Sequence, residues 1–423
     1  KGIAIDIFNS VVNTPVASDV ALSNVKNKII ALSGEPVSGK GTTVKNLIKK
    51  LEEMGYSENQ IHLESTGNDF RKYFNSIIDL IANLNNEENL KQISDRDEIK
   101  VFFSTEEYRH ILSTTIANLI KENTDLSNFS IQDANNREDF AKIRKIVDTL
   151  IDEGMKQKGE AINREPHPNE IWIIDSRLAF NNIPDAFSVR LTTNADIAGK
   201  RLFNDKTRGK EDSQYSSIKE ATAEREERRI GERNRYLNRY GVDLKDENNY
   251  DLIIDTSFAS PSDIADVILE CEKHYEANES FGKKWTSPQM LLPLQEERET
   301  LGEGESGYNF EQVVNSIKEK GYLPSRVIEA INVDDVNYII EGHHRNFAAA
   351  YAGKTLVPYS IIAKDDEQIP NYSNTARERA NSVSLNQLYG HEWMLQKVDS
   401  SFTYKENFPE LYEKIENKEG IEY

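Results

Sequence analysis

Apolar and polar positions divide the chain into short strand-like runs and longer stretches of helical spacing. Ile29, Ile30, Ala31 and Leu32 form a buried-strand run that stops at Gly34, and Val44 to Met54 carries apolar residues at helical spacing. Ile61 to Leu63 reads as a second short strand, Ser65 to Asn68 as a turn with an N-cap, and Asp69 onward as a helix. From Ile81 to about Gly159 the chain is polar, with helical spacing in FFSTEEYRHILSTTIANLI and joints at NLNNEEN and DANNRED, which predicts a helical insertion over about 82–158. Strand patterns return at Ile171 to Ile174, ending in Asp175, and at Phe187 to Leu191, ending in Thr192. One or two charged helices follow over 195–240, then a last strand in YDLIIDT (250–256) and a helix to about Tyr275.

A change of composition near 276–284 marks a boundary, and the pattern beyond it is shorter and more mixed. EQVVNSIKEKG is a helix closed by glycine, and SRVIEAI is strand-like. Tyr338 to Ile340 reads as a strand, Glu341 to Arg345 as a turn into a helix, Asn346 to Ala352 as a small-residue helix ended by Gly353, and Val357 to Ile362 as a strand. The tail from Ile369 to Tyr423 carries spacing for two helices and is expected to pack on this second domain, with His391 and Trp393 in its core or interface. Residues 1–27 carry no readable motif and are treated as an N-terminal extension.

The most specific chemistry lies between the first strand and helix. GEPVSGKGTT places Gly34, four residues, then Gly39, Lys40, Gly41, Thr42 and Thr43, the spacing of a phosphate-binding loop. Its glycines, together with Ser38, let backbone N–H groups turn toward phosphate oxygens. Lys40 brings a point charge, and the Thr42 or Thr43 hydroxyl can ligate magnesium on ATP. The helix that follows aims its positive dipole end at the same anion. Downstream, Gly67 and Arg71 offer a second anionic contact. Asp175, a carboxylate at a strand's C-terminal end, suits a magnesium–water ligand or catalytic acid, with Arg177 two residues on. In the charged helix Arg228, Arg235 and Arg239 share one side, and Arg225, Arg229 and Arg233 a neighbouring stripe.

Charge narrows the partners. The chain has 423 residues and a formal net charge of −20, from 72 acidic and 52 basic residues. That balance opposes broad nucleic-acid or anionic-membrane binding. A single cysteine, Cys271, excludes an internal disulfide and a cysteine metal cluster and suits a reducing compartment. With no apolar run of about 18 residues and no leader pattern, the chain is expected to be soluble and cytoplasmic.

Residues 28–272, within a first domain expected over 28–275, resemble the cytidylate kinase-like branch of nucleoside monophosphate kinases through GEPVSGKGTT, STGNDFR, IIDSRLAFNNIPDAF, ERRIGERNRYLNRYGVD and YDLIIDTS, taken in the family's order. The resemblance implies an α/β P-loop NTPase domain with a parallel five-stranded sheet, ATP and magnesium as cofactors, and phosphoryl transfer to a monophosphate. Carried over, Lys40 would hold the transferring phosphate, Arg71 and Arg177 the acceptor phosphate, and Arg228 and Arg235 would close as lid arginines. CMP is the default acceptor. The acceptor-binding segment is short in the family and long here, which leaves open another nucleotide or a non-nucleotide acceptor.

Residues Glu341, Gly342, His343, His344 and Arg345 put two histidines and an arginine at a helix start, an anion-binding cluster with acid–base capacity. Adjacent histidines point in different directions, so a metal site is disfavoured there. The segment resembles the ParB/sulfiredoxin-like α+β fold, in the EGHHR form of its free-serine kinases. This implies that residues 284–423 form a smaller second domain, with a nucleotide-phosphate contact at Gly342 to Arg345 and possible catalysis by Glu341 or the histidines. Residues 273–423 hold 16 Lys and Arg against 25 Asp and Glu, which disfavours DNA binding. The leading expectation is an ATP-dependent kinase carrying this second module. The alternative from another class is a nucleotide-sensing regulatory or interaction protein.

Overall fold

The structure, a computed structural model, describes residues 27–67, 152, 155–156, 158–205, 215–294, 309–333, 336–364 and 367. The chain is α/β, with a mixed sheet in which parallel pairings predominate. Its described residues fall into two compact units, 27–31 with 59–67 and 152–186, and 32–58 with 187–205 and 215–367. Strand β1 (Lys28–Gly34) runs through both. Arg71, most of the predicted insertion and the tail from Ile369 lie outside the described residues.

In the first unit β2 (Ile61–Ser65) and β3 (Ile171–Asp175) pair in parallel, from Ile61↔Ile171 to Ser65↔Asp175, and β3 is followed by the short helix α2 (Ala179–Asn182). Ile29, Ala31, Trp172, Ile174, Ala179 and Ile183 form the unit's core with Met155, Ile162 and Ala186. The β-branched and aromatic content of β3 suits a strand buried on both faces. At its other end Trp172 stacks on His62, ring centroids 4.7 Å apart, and His62 Nε2 lies 2.7 Å from Glu170.

The second unit begins with the end of β1 and the 14-residue helix α1 (Lys40–Glu53). It continues through β4 (Phe187–Thr192), α3 (Ala195–Asn204), α4 (Ile218–Tyr240), β5 (Leu252–Asp255) and α5 (Pro261–Glu276). Then come β6 (Lys284–Thr286), β7 (Leu291–Leu292), α6 (Phe310–Lys320), β8 (Ile328–Val333), β9 (Val336–Glu341), α7 (His343–Tyr351) and β10 (Val357–Lys364). Strand order is β1-β4-β5-β6-β10-β8-β9-β7. The sequence predicts strands one to three residues short of β2, β4, β9 and β10, and starts α1 and α7 late, at Val44 and Asn346. Glycines with positive φ, Gly39 at +81° and Gly342 at +106°, let the backbone turn into each helix earlier than the apolar spacing begins.

One sheet joins the two sequence segments of this unit. Strand β6 pairs in parallel with β5 (Ile254↔Trp285) and antiparallel with β10 (Pro358↔Trp285), and Trp285 is buried. Beyond it Leu291, Ile328, Ala330, Ile339 and Val357 pack against Ala349 of α7, whose alanines let the helix lie close to the strands. Cys271 on α5 is fully buried, and burial pushes its thiol well above the ordinary range. Among the described residues no helix is long and apolar enough to cross a membrane, and no cluster of three or more His, Cys, Asp or Glu is arranged to hold a metal.

Candidate functional site

The loop between β1 and α1 is held from several sides. Glu35 N–H donates to Leu191 O at 3.0 Å and Ser38 N–H to Glu35 O at 3.2 Å, closing the turn. Thr256, just past β5, donates its hydroxyl to Ser38 O at 2.9 Å. A Cβ on Gly34 would sit 2.6 Å from Ser38 Oγ and 3.3 Å from Leu191 O, so only glycine lets the loop fold back on β4. Val37, a β-branched residue, is forced to φ +65°, a strained conformation. Glu35 itself bridges two arginines, Arg190 at 3.0 Å and Arg225 at 2.7 Å.

Of the six described helices with nine or more residues, four begin on a side-chain cap with an acid in the first turn. Asn194, Ser217, Ser260 and Asn309 accept N–H bonds there, beside Asp196, Glu220, Asp263 and Glu311. The other two, α1 and α7, begin on left-handed Gly39 and Gly342 with neither feature. These two helix starts coincide with the loops GEPVSGKGTT and EGHHR. An uncapped start leaves backbone N–H donors and the positive dipole end to an outside anion. At α1 the half-buried Lys40 opens the helix, Gly41 and Thr42 are exposed, and a Cβ at Gly39 or Gly41 would meet nothing within 4 Å. Thr43 is buried and its hydroxyl donates to Gly39 O at 3.2 Å, which leaves Thr42 as the exposed threonine. This donor set, lysine and backbone N–H with no acid in the turn, fits an ATP phosphate tail and its magnesium.

Helix α4 carries the arginines. Arg228 is exposed and donates to Glu232 at 3.3 Å, and the exposed Arg235 lies over the Tyr236 ring at 4.9 Å. Arg233 forks onto Asp243 at 2.7 and 2.6 Å, closing the turn after left-handed Gly241. Hydrogen bonds, first from Arg233 and then from the Lys245 N–H, hold the Asp243 carboxyl down to about 2. A carboxyl depressed on folding adds stability above its unfolded value of about 3.9, and that contribution vanishes as pH falls through the folded value. Asp243→Asn is therefore expected to raise the pH midpoint of acid unfolding, followed by circular dichroism. An unchanged midpoint would show that this fork does not couple to global stability.

At the end of β5, Asp255 is half-buried, and desolvation pushes its carboxyl up, against hydrogen bonds from Ser257 and Thr286 and the charge of Arg201. Arg201 donates to Thr256 O and Ser257 O, so α3 braces the segment that holds Ser38.

In the first unit Asp175 ends β3. Ser65 donates to its Oδ2 at 3.1 Å and Thr66 to its backbone oxygen at 3.3 Å, fixing the carboxylate at the C-terminal ends of β2 and β3. Arg177 follows, half-buried, in the turn before α2, and Gly67 is exposed. Glu64 on β2 pairs with Lys158.

At α7 the five predicted residues separate. His343 is buried, and its Nε2 accepts the Leu294 N–H at 3.1 Å, a geometry that needs an unprotonated nitrogen. His344 is half-buried, and burial lowers its pKa against the opposing charge of Glu341. Arg345 donates to Val327 O at 3.1 Å and to the exposed Glu341 at 3.3 Å. A side chain on Gly342 would press within 3.2 Å of Arg345 Nη2 and Ile328.

No protein-family model matches the chain. Over 100 residues it is 33% identical to the cytidylate kinase of Sulfolobus acidocaldarius, covering 23% of this chain and 50% of that protein. Over 58 residues it is 43% identical to the cytidylate kinase of Pyrococcus abyssi, covering 14% and 32%. Part of this chain is similar to cytidylate kinases. It is also 32% identical over 124 residues to the S-adenosylmethionine-dependent nucleotide dehydratase of Lacinutrix mariniflava, covering 29% of this chain and 24% of that protein. The chain thus spans between 24% and 50% of the length of these curated relatives. A solved structure of an uncharacterized protein from Eubacterium ventriosum aligns at TM-score 0.30 and 13% identity, over 60% of this chain and 99% of that one. A score that low supports no argument.

Four residues that brace the kinase-like loop are absent from the sequence reading of the site, Glu35, Arg190, Thr256 and Arg201. A glutamate inside a glycine-rich loop was the available signal, since a buried acid in a turn needs a cationic partner.

Proposed function

We propose that the protein is an ATP-dependent phosphotransferase of the nucleoside monophosphate kinase type. The observation that carries this is the start of α1, an uncapped helix opened by left-handed Gly39 and Lys40 on the sequence GEPVSGKGTT. The partial similarity to cytidylate kinases supports the same reading. In this reading Lys40 and the loop N–H groups hold the transferring phosphate, with Ser38 shaping the turn. Thr42 ligates magnesium, which would neutralise phosphate charge when bound. Asp175 contributes the carboxylate, Arg71, Arg177 and Gly67 take the acceptor phosphate, and Arg228 and Arg235 cover the transferring group. Such an array works by positioning and by spreading positive charge over phosphoryl oxygens.

The second module, from 284 onward, is proposed as a ParB/sulfiredoxin-like domain. Its own anion contact would form at the N-terminus of α7 with His344 and Arg345. Burial of His343 in hydrogen bonding to Leu294 gives that residue a structural part instead.

The test is ADP release from ATP and magnesium with CMP, UMP, dCMP, AMP, GMP and serine as acceptors. Turnover with one monophosphate supports the kinase reading and names its acceptor. ATP binding without turnover on any acceptor would favour the nucleotide-sensing alternative.

A further inference from the structure

We infer that Arg225 and Glu35 are positioning residues, a buried tie that holds the glycine-rich loop in its anion-receiving shape and makes ATP affinity depend on helix α4. The inference rests on the ATP-binding reading of that loop.

Arg225 is 2% exposed although it stands on a helix whose other arginines reach toward solvent. Nε donates to Pro36 O at 3.2 Å, and Nη2 to Glu35 Oε2 at 2.7 Å and to Thr193 O at 3.3 Å. Nη1 pairs with Glu226, which Arg229 holds from the other side at 2.7 Å. Arg190 on β4 takes the second oxygen of Glu35. Three guanidinium groups and two carboxylates therefore alternate, so the buried Arg225 has a carboxylate on either side and the one net positive charge of the network falls on its more exposed outer arginines.

The target of this network is the most strained peptide of the loop. A trans peptide aims the N–H of one residue opposite the carbonyl of the residue before it. Arg225 fixes the carbonyl of Pro36 and so aims the Val37 N–H away from itself. Thr256 fixes the carbonyl of Ser38 and so aims the Gly39 N–H. Val37 lies between these two clamps at φ +65°, where a β-branched residue does not stay unaided. Helix α4 is itself fixed near Arg225, because Gly199 of α3 lies so close to Thr222 that a Cβ there would collide. The arginine is thus held from a rigid crossing, which is what a positioning group requires.

The experiment uses the full chain. Mg-ATP affinity is measured by calorimetry, KM for ATP and for the acceptor by turnover, and the melting temperature without ligand, for Arg225→Lys, Glu35→Gln and each combined with Val37→Gly. Lysine keeps the charge but cannot reach three acceptors at once. Glu35→Gln leaves the Pro36 and Thr193 contacts in place and serves where Arg225→Lys does not fold. The expected result is ATP affinity weakened by at least about tenfold, acceptor KM changed less than about twofold, and partial recovery of ATP affinity when Val37→Gly relieves the strained φ. If ATP affinity stays within about twofold of wild type while Lys40→Ala loses it, the tie is only structural and the inference fails. If wild type itself binds no ATP, the kinase reading falls and takes this inference with it.

Discussion

Lys40→Ala is expected to lower ATP-dependent turnover by at least about 100-fold, the scale found when one charge-stabilising donor is removed from an active site. Lys40 is the first residue of α1, half-buried beside exposed Gly41 and Thr42, in a turn that carries no acid to compete with phosphate. Alanine is a better helix former and keeps the backbone donors of the turn, so the fold is expected to persist with its melting temperature within a few degrees. The loss should therefore fall on kcat and on ATP KM together. Arg177→Ala provides the contrast: if Arg177 grips the acceptor as proposed, its loss raises acceptor KM and leaves ATP KM near its wild-type value. Steady-state kinetics with the preferred acceptor from the panel reads both. Equal turnover by wild type and Lys40→Ala would remove phosphoryl transfer at this loop from consideration.

Local signals were legible in the sequence, and long-range ones were not. The loop that leads into α1 is written within ten residues, by an apolar run, a glycine spacing and a lysine, although the apolar spacing alone starts the helix four residues late. The turn at Gly342 and the strand ends at Asp175 and Thr192 follow in the same way. Each depends on neighbours in the chain, so the residue types alone carry it. The tie from Glu35 reaches 155 residues to Arg190 and 190 to Arg225. In the sequence Arg225 differs from the solvent-facing arginines of α4 only by its place in a stripe, and nothing local distinguishes a buried fork from a surface one. His343 shows the same limit. Two adjacent histidines suggested acid–base capacity, yet one of them completes the backbone bonding of Leu294, 49 residues away. The composition change near 276–284 is real, but the hydrogen bonds of β6 with β5 and β10 are invisible to composition, because a three-residue strand gives no periodicity to read.

Cutting the chain after Asn278 is expected to yield a fragment that aggregates or melts roughly 10 °C or more below the full chain, since each kcal/mol is worth a few degrees at this size. The cut removes β6 and leaves β5 as an open edge whose backbone groups invite pairing with another copy. Asp255, whose carboxyl desolvation raises, loses the Thr286 hydroxyl. Helix α5 loses part of its N-terminal support, because Thr355 accepts the Ser260 N–H at 2.9 Å and donates to Asp263 at 2.7 Å. Trp285, 2% exposed with its indole N–H on Gly282 O at 2.8 Å, is lost with the removed segment. A point variant separates pairing from packing. Trp285→Ala keeps the strand but opens a cavity, at a cost of about 3–5 kcal/mol. If the segments on either side of β6 unfold together, that variant lowers one calorimetric transition; if they are independent, it lowers one of two and leaves the other in place. The effect should also reach ATP binding, because Asp255 and Thr256 are consecutive and Thr256 holds Ser38 of the loop. A truncated chain that stays monomeric, melts with the full protein and binds ATP equally well would mean that β6 adds nothing to the loop's shape.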